Sequence, residues 1–281
     1  MTVTPALRET VRSLRAHPGF TVTVLVTLAV AGLIGLMTFV MVLQPGFMGM
    51  AHFSGTDHRI HDLTYGFIFT TGVVGILAQL RRPSKNVAGM LMALIPWVAL
   101  LLAAVLSTSA SVILSTERLL VAVGTVIVAL LHPAERDFFR SFSAERINWV
   151  LLGLDGIAAV PLIAFAANNI DLQRTVADAH AGMGHYGFMA AFSFTVIGVG
   201  ALASLRPDGW RLTAWVAGLL PAFLGLTSLL YPDTSSSLDL VWAFAAIAWG
   251  AIFLVAAEVS KGAQGPTLLS LRAAVSKSEP S

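Results

Sequence analysis

The chain has 281 residues, of which 56% are hydrophobic and only 11% are charged, and its formal net charge at pH 7 is +2. An ordinary soluble domain carries about a quarter charged residues, whereas the apolar residues here form blocks of about 20, the length that crosses a bilayer. The composition excludes a soluble globular domain and predicts an all-α integral membrane protein whose partner is the lipid bilayer. A nucleic-acid partner is not expected, because the basic residues lie in short loops and at the termini.

The chain begins with a basic stretch, residues 1–18, which contains Arg8, Arg12 and Arg15. We interpret it as a cytoplasmic, amphipathic N-terminus. No charged side chain occurs from residue 19 to 51, and this segment is far longer than the apolar core of about 7–15 residues in a signal peptide. The segment therefore predicts a retained transmembrane helix.

Seven further apolar segments follow, separated by polar connections that contain charge, proline or turn-forming residues. Only the segment STSASVILSTER divides the third span from the fourth. The eight predicted transmembrane helices lie at 20–44, 63–81, 87–107, 110–131, 147–168, 186–205, 211–231 and 238–259.

The lysine and arginine residues favour one orientation in the membrane. With the N-terminus in the cytoplasm, all but Arg59, Arg118 and Arg174 of the 17 lysines and arginines fall on the cytoplasmic side. Cytoplasmic loops of membrane proteins are enriched in these residues. Together with the even number of spans, this bias predicts a multi-pass protein of the cell membrane with both termini in the cytoplasm.

The two halves of the chain resemble each other. The segment YGFIFTTGVVGILAQLRRP at Tyr65 matches YGFMAAFSFTVIGVGALASLRP at Tyr186, and the prolines that follow keep a similar offset. We predict two tandem four-helix repeats of the same orientation, with a pseudo-twofold axis along the membrane normal. The predicted division is a first unit at 19–132, a cytoplasmic linker at 133–146, a second unit at 147–260 and a cytoplasmic tail at 261–281.

Five of the seven histidines lie in the two outer loops that precede the second and sixth spans, which the repeat makes equivalent. An imidazole and a carboxylate four residues apart share one helical face and can bind a divalent metal together. In the second loop two histidines are five residues apart, so a bend at Gly182 or Gly184 is needed to bring them together. The residues of the two loops are His52, Asp57, His58, His61 and Asp62 in the first, and Asp178, His180 and His185 in the second.

These residues favour a divalent metal or a haem as the cofactor. For a metal the candidate ligands are His58, His61, Asp62, His180 and His185. For a haem the first candidates are His61 and His185, because axial histidines come from helices that face each other. Two other interpretations remain open, a hydrated helix end without a ligand and a gate for protons or substrate.

Asp155 lies inside the fifth predicted span among apolar and glycine neighbours. An ionisable side chain at that depth costs about 2.5 kcal/mol or more, so it is expected to face the bundle interior. Asp155 is the candidate proton-coupling residue, and a structural polar contact with a neighbouring helix is the alternative.

These observations predict a polytopic membrane protein that binds a metal or haem through an outer His/Asp cluster, with an ion or small molecule as ligand. The alternatives are a small-solute or proton-coupled permease that uses Asp155, and a non-catalytic membrane scaffold. The chain has no cysteine, which excludes thiolate metal sites. Whether it is an enzyme stays open, since it lacks a Walker motif, a Gly-x-Ser-x-Gly elbow and a His-Glu-x-x-His motif. A metal-dependent enzyme that acts on lipid head groups, with Asp57 or Asp178 as the base, is one version of the metal hypothesis.

Overall fold

The computed structural model describes residues 5–43, 59–232 and 236–260. Over these residues the fold is all-helical, with no β-strand. Short 3-10 turns lie in the connections between some of the helices. The ten α-helices are α1 Pro5–Ala16, α2 Pro18–Leu43, α3 Arg59–Ala78, α4 Val87–Ser107, α5 Thr116–Leu130, α6 Trp149–Thr175, α7 Ala179–Met183, α8 His185–Leu205, α9 Trp210–Leu230 and α10 Leu240–Val259.

Seven of these helices are long and apolar enough to cross a membrane, namely α2, α3, α4, α6, α8, α9 and α10. Large apolar side chains such as Val105, Val160 and Val241 are exposed on their outward faces. In water such a surface would drive aggregation, whereas lipid tails accept it at no cost. The architecture is therefore that of a multi-pass helical membrane protein, as the composition predicts.

The fourth predicted span, 110–131, differs from the structure at its start. Ala110–Val112 is a 3-10 turn, and α5 begins only at Thr116, where the Ser115 side chain accepts a hydrogen bond from the Arg118 N–H. Serine hydroxyls bond to nearby backbone and favour caps and turns over helix interiors. The 15 residues of α5 rise about 22 Å, less than the roughly 30 Å of a hydrocarbon core.

Two other helices have bounds that differ from the prediction, and both differences bear on the candidate site. Helix α3 runs over Arg59–Ala78 instead of 63–81, so His61 and Asp62 lie in its first turn. Helix α6 starts where Asn148 caps it and continues to Thr175, well past the predicted end at 168. Its last two turns are polar in sequence but remain helical because some of their polar side chains are buried against neighbouring segments.

Helix α8 forms the centre of the bundle and is the most buried of the seven long helices. It packs against α3, α4, α6 and α9. Glycines permit the closest approaches between helices, as where a Cβ on Gly75 of α3 would lie 2.5 Å from the Gly89 carbonyl oxygen of α4. Such small-residue contacts are typical of helix pairs in membranes, where close van der Waals packing drives association.

Polar contacts gather at the two ends of the bundle. At one end the Asn148 N–H donates to the Ser204 carbonyl at 2.8 Å, and Gln79 Oε1 lies 3.1 Å from His132 Nε2. Burial lowers the pKa of His132 to about 4, against an opposing backbone contact with Pro83, so this ring is neutral near pH 7 and serves packing. The other end holds the remaining histidines that the structure describes, apart from His17, and we call it the histidine end.

Candidate metal centre

Three histidine side chains meet at the histidine end. His61, His180 and His185 each offer one ring nitrogen, and these three nitrogens lie within 4.8 Å of one another. The ring centroid of His61 lies 5.1 Å from the ring centroid of His180 and 5.2 Å from that of His185. His61 and His185 are buried, and His180 is half-buried. The first of these residues comes from the first half of the chain and the other two from the second half.

The chain brings His180 and His185 together by a sharp turn between α7 and α8. Gly184 ends α7 with φ +81°, a left-handed backbone conformation that residues other than glycine rarely adopt. A Cβ on Gly184 would also lie 2.9 Å from the Ser111 carbonyl oxygen. The bend predicted from the two glycines is therefore found at Gly184, and the centroids of the two histidine rings are 5.6 Å apart.

Asp178 supports the His180 ring from the loop before α7. Its carboxylate Oδ2 lies 3.6 Å from His180 Nδ1 and accepts a hydrogen bond of 2.9 Å from the Tyr186 hydroxyl. Burial alone would raise the pKa of Asp178, but hydrogen bonds from the Ala181 N–H and the Tyr186 hydroxyl, with the nearby His180, hold it below the ordinary value. Asp178 is thus a carboxylate at neutral pH, the usual outer partner of a metal-binding histidine.

A series of hydrogen bonds through Ser236 and Asn169 supports His61. Its Nε2 lies 3.0 Å from Ser236 Oγ, and the Ser236 hydroxyl donates to Asn169 Oδ1 at 3.0 Å. Asn169 in turn donates from Nδ2 to the Phe165 carbonyl at 2.9 Å. All three polar side chains are at least 99% buried. A buried polar chain of this kind persists only where its hydrogen bonds are made, since each unmade bond costs about 1–3 kcal/mol.

Gln173, one turn after Asn169 on the same face of α6, holds the surrounding backbone in place. Its Nε2 donates to the Ala181 carbonyl at 2.6 Å and its Oε1 accepts from the Gly187 N–H at 3.0 Å. These bonds attach α6 to both sides of the α7–α8 turn. The polar end of α6 therefore forms part of the frame around the three histidines.

The other predicted site residues fall into two groups. Asp62 is half-buried and interacts electrostatically with Arg59 and His180, but its carboxylate is not part of the group of three nitrogens. His58, with His52 and Asp57, lies outside the described residues, so its predicted role as a ligand stays a prediction.

Asp155 is buried, with 4% of its surface exposed, where α6 packs against α8. The carboxylate lies against Gly200, whose absent side chain leaves the room for it. Among the described residues no hydrogen-bond partner reaches its Oδ1 atom. The apolar groove of about 500 Å³ between α4 and α8 does not include Asp155 among its lining residues.

Reasoning from the sequence missed Asn169, Gln173, Tyr186 and Ser236 as parts of the site. The polar run NNIDLQRT could have drawn attention to the first two, because it follows an apolar span without a turn signal. Nothing local marks Ser236, which lies in a serine run between α9 and α10.

The arrangement can hold one small cation. Zinc binds imidazole nitrogen at about 2.0–2.1 Å, which places the nitrogens of a tetrahedral site roughly 3.3 Å apart, so modest ring rotations would close the three nitrogens on an ion. No protein family, curated protein or solved structure matches the chain in sequence or fold.

Proposed function

We propose that this protein binds one divalent transition-metal ion, with zinc as the first candidate, through His61, His180 and His185. The observation that carries the proposal is the convergence of three imidazole nitrogens within 4.8 Å. Histidines from two distant parts of the chain meet in a buried, hydrogen-bonded frame. A hydrated helix end would leave them apart and exposed.

The same geometry favours an ion over a haem. His61 and His185, the pair predicted as axial ligands, stack with an interplanar angle of 28° and centroids 5.2 Å apart. His180 lies beside both rings at 5.1 and 5.6 Å. A porphyrin between two axial histidines would occupy the space that the third ring fills, whereas an ion coordinates all three.

Imidazole ligands select zinc, copper, iron or nickel over calcium and magnesium, which prefer oxygen. Three protein ligands leave one position of a tetrahedral site for water or for a further residue. His58 is the candidate for that position if it acts as a ligand, as the sequence predicts. Asp62 contributes negative charge beside the ion, which favours a cation at this place.

We infer that the site lies at the outer boundary of the membrane. His61 is in the first turn of α3 and His185 is the first residue of α8, so the site sits where two membrane-spanning helices begin. The excess of lysine and arginine at the other end favours its cytoplasmic placement. In this arrangement α5 runs between the same two ends as an eighth, short crossing.

The two tandem units, 19–132 and 147–260, are part of this proposal. Tyr65, from the first Tyr-Gly-Phe triplet, packs against Phe188 of the second, with ring centroids 4.8 Å apart. His61 lies four residues before Tyr65 of the first triplet, and His185 lies directly before Tyr186 of the second. The proposed ion is thus shared by the two repeats near their pseudo-twofold axis.

Metal titration of the purified protein tests the proposal. Chelator-treated protein without a polyhistidine tag is expected to bind one Zn²⁺ per chain in calorimetry, and Co²⁺ in its place should give the visible absorption bands of a nitrogen-rich, low-coordinate site. Mg²⁺ and Ca²⁺ should not compete, because the ligands are nitrogen atoms. Absence of saturable binding of every divalent transition metal tried would refute a metal-binding function.

A proton-coupled permease that uses Asp155 is the second candidate function. The observation that favours it is a carboxylate buried within a membrane-spanning helix with an oxygen that lacks a hydrogen-bond partner among the described residues. Such groups are expensive in a membrane and mark proton and ion pathways.

For this second candidate we expect proteoliposomes with an imposed pH gradient and an internal pH dye to show proton flux in the wild type. The Asp155→Asn variant keeps the shape of the side chain but cannot carry a proton, so its flux should fall to that of empty liposomes. Equal flux in the two proteins would remove Asp155 from any proton pathway.

A further inference from the structure

The hydrogen bonds around His61 determine which ring nitrogen carries its proton. The atom of Phe165 in contact with Asn169 is the carbonyl oxygen, which can only accept a hydrogen bond, so the side-chain amide of Asn169 must turn its Nδ2 donor towards it, at 2.9 Å. This orientation presents Asn169 Oδ1 to Ser236, where it can only accept a hydrogen bond.

The single hydroxyl proton of Ser236 is therefore used on Asn169 Oδ1. A hydroxyl has one proton and two lone pairs, so Ser236 Oγ can only accept a hydrogen bond from the ring of His61, whose Nε2 lies 3.0 Å away. The consequence is a His61 ring with a proton on Nε2, so that in the neutral form of the ring the lone pair is on Nδ1.

We infer that Asn169 and Ser236 are positioning residues that select the Nε2–H tautomer of His61 and so make Nδ1 its metal-binding atom. The part of this inference that concerns a metal rests on the proposed function. The tautomer itself follows from the hydrogen-bond chain without any metal.

Ser236 lies in the connection between α9 and α10, so this connection takes part in orienting His61. Its contact with His61 joins residues 175 positions apart in the chain. Loss of a partner that orients a metal-binding histidine lowers metal affinity by about 10- to 100-fold in characterised sites. We expect a loss of that size when either Ser236 or Asn169 loses its side-chain hydrogen bonds.

The chain offers a matched control beside each residue. Asn168 is exposed while its neighbour Asn169 is fully buried. The hydroxyl of Ser237 donates to the Tyr231 carbonyl and takes no part in the chain to His61. Asn168→Ala and Ser237→Ala therefore remove the same kinds of side chain without touching the tautomer.

The experiment measures the tautomer and the metal affinity separately. In protein labelled with ¹⁵N-histidine and without metal, two-bond ¹H–¹⁵N correlation spectra report the tautomer of His61, assigned by comparison with His61→Gln. We expect Nε2–H in the wild type and in both controls. In Asn169→Leu the Ser236 hydroxyl has lost its acceptor and can donate to Nε2, so the ring should shift towards Nδ1–H.

Zinc titration of the same proteins completes the test. Zinc affinity should fall about 10- to 100-fold in Ser236→Ala and in Asn169→Leu. Ser236→Thr keeps a hydroxyl and should bind zinc as the wild type does. The two controls should also keep the wild-type affinity. A wild-type His61 protonated on Nδ1, or unchanged zinc affinity in folded Ser236→Ala, would overturn the inference. If the wild type binds no metal, the proposed function fails, while an Nε2–H tautomer lost in Asn169→Leu would still support the tautomer assignment.

Discussion

Replacement of His61 and His185 together by alanine is expected to abolish stoichiometric metal binding. Structural zinc sites with four ligands release about 10–16 kcal/mol on binding, on the order of 3 kcal/mol per ligand if it is shared equally. Loss of two ligands should therefore weaken the affinity by roughly four orders of magnitude or more. Calorimetry and metal analysis of the purified variant, beside the wild type, measure this directly.

The control for this variant is His17→Ala. His17 is half-buried and its Nδ1 lies 3.0 Å from the Ser13 carbonyl oxygen, in the turn between α1 and α2. Its replacement removes an imidazole from the chain but none from the site, so zinc should still bind at one ion per chain. Full affinity in the double variant would mean that the convergence of the three rings is not a metal site.

The double variant also separates the site from the fold. Both side chains are buried, so their loss leaves cavities that cost stability in addition to the metal. Thermal unfolding of the wild type and the variant, both without metal, measures the loss of stability that the cavities alone cause. The additional stabilisation that zinc gives the wild type should be missing from the variant, since only the binding-competent fold gains from the ligand.

The sequence was informative about the membrane-spanning segments and about which parts of the chain carry the histidines that meet in the structure. Apolar blocks of about 20 residues are long-range signals that tertiary contacts rarely override in a membrane. The prediction that histidines from two outer loops can meet rested on the repeat and on a bend at Gly182 or Gly184, and the structure does bring His61, His180 and His185 together.

The parts of the site that the sequence could not predict depend on contacts between distant segments. Asn169 and Ser236 take part in the site because α6 and the α9–α10 connection place Ser236 Oγ 3.0 Å from Asn169 Oδ1. No local sequence pattern encodes that distance. The predicted start of the fourth span was wrong for a local reason. The serine hydroxyls near residue 110 favour caps and turns, whereas the average hydropathy of the segment favoured a helix. Asp62 shows the converse case, because its spacing from His58 pointed to the metal but its carboxylate lies outside the group of three nitrogens.

Gly75→Ala is expected to destabilise the bundle strongly, because α3 and α4 cross at this residue. A Cβ there would lie 2.5 Å from the Gly89 carbonyl oxygen and 2.8 Å from both the N and the Cβ of Ala93. Two of these atoms belong to backbone, so no flexible side chain can move aside. Overpacking of a well-packed core costs about 1–3 kcal/mol and sometimes more, and this contact should fall at the upper end.

Gly66→Ala on the same helix is the matched control. No atom outside the helix backbone lies within 4 Å of the position that its Cβ would take. Alanine is a better helix former than glycine by about 0.8–1.0 kcal/mol, so this variant should be as stable as the wild type or slightly more so. Thermal unfolding of the three proteins in detergent, followed by circular dichroism, measures the difference.

The outcome of this comparison also bears on the site. His61 lies on α3, and α3 is held against the bundle by its close approach to α4 at Gly75. If the helices separate in Gly75→Ala, His61 should move away from His180 and His185, and zinc affinity should fall although no ligand has changed. A Gly75→Ala protein as stable as Gly66→Ala would show that α3 and α4 do not approach each other as closely as described, and the position of His61 beside the other two histidines would lose its support.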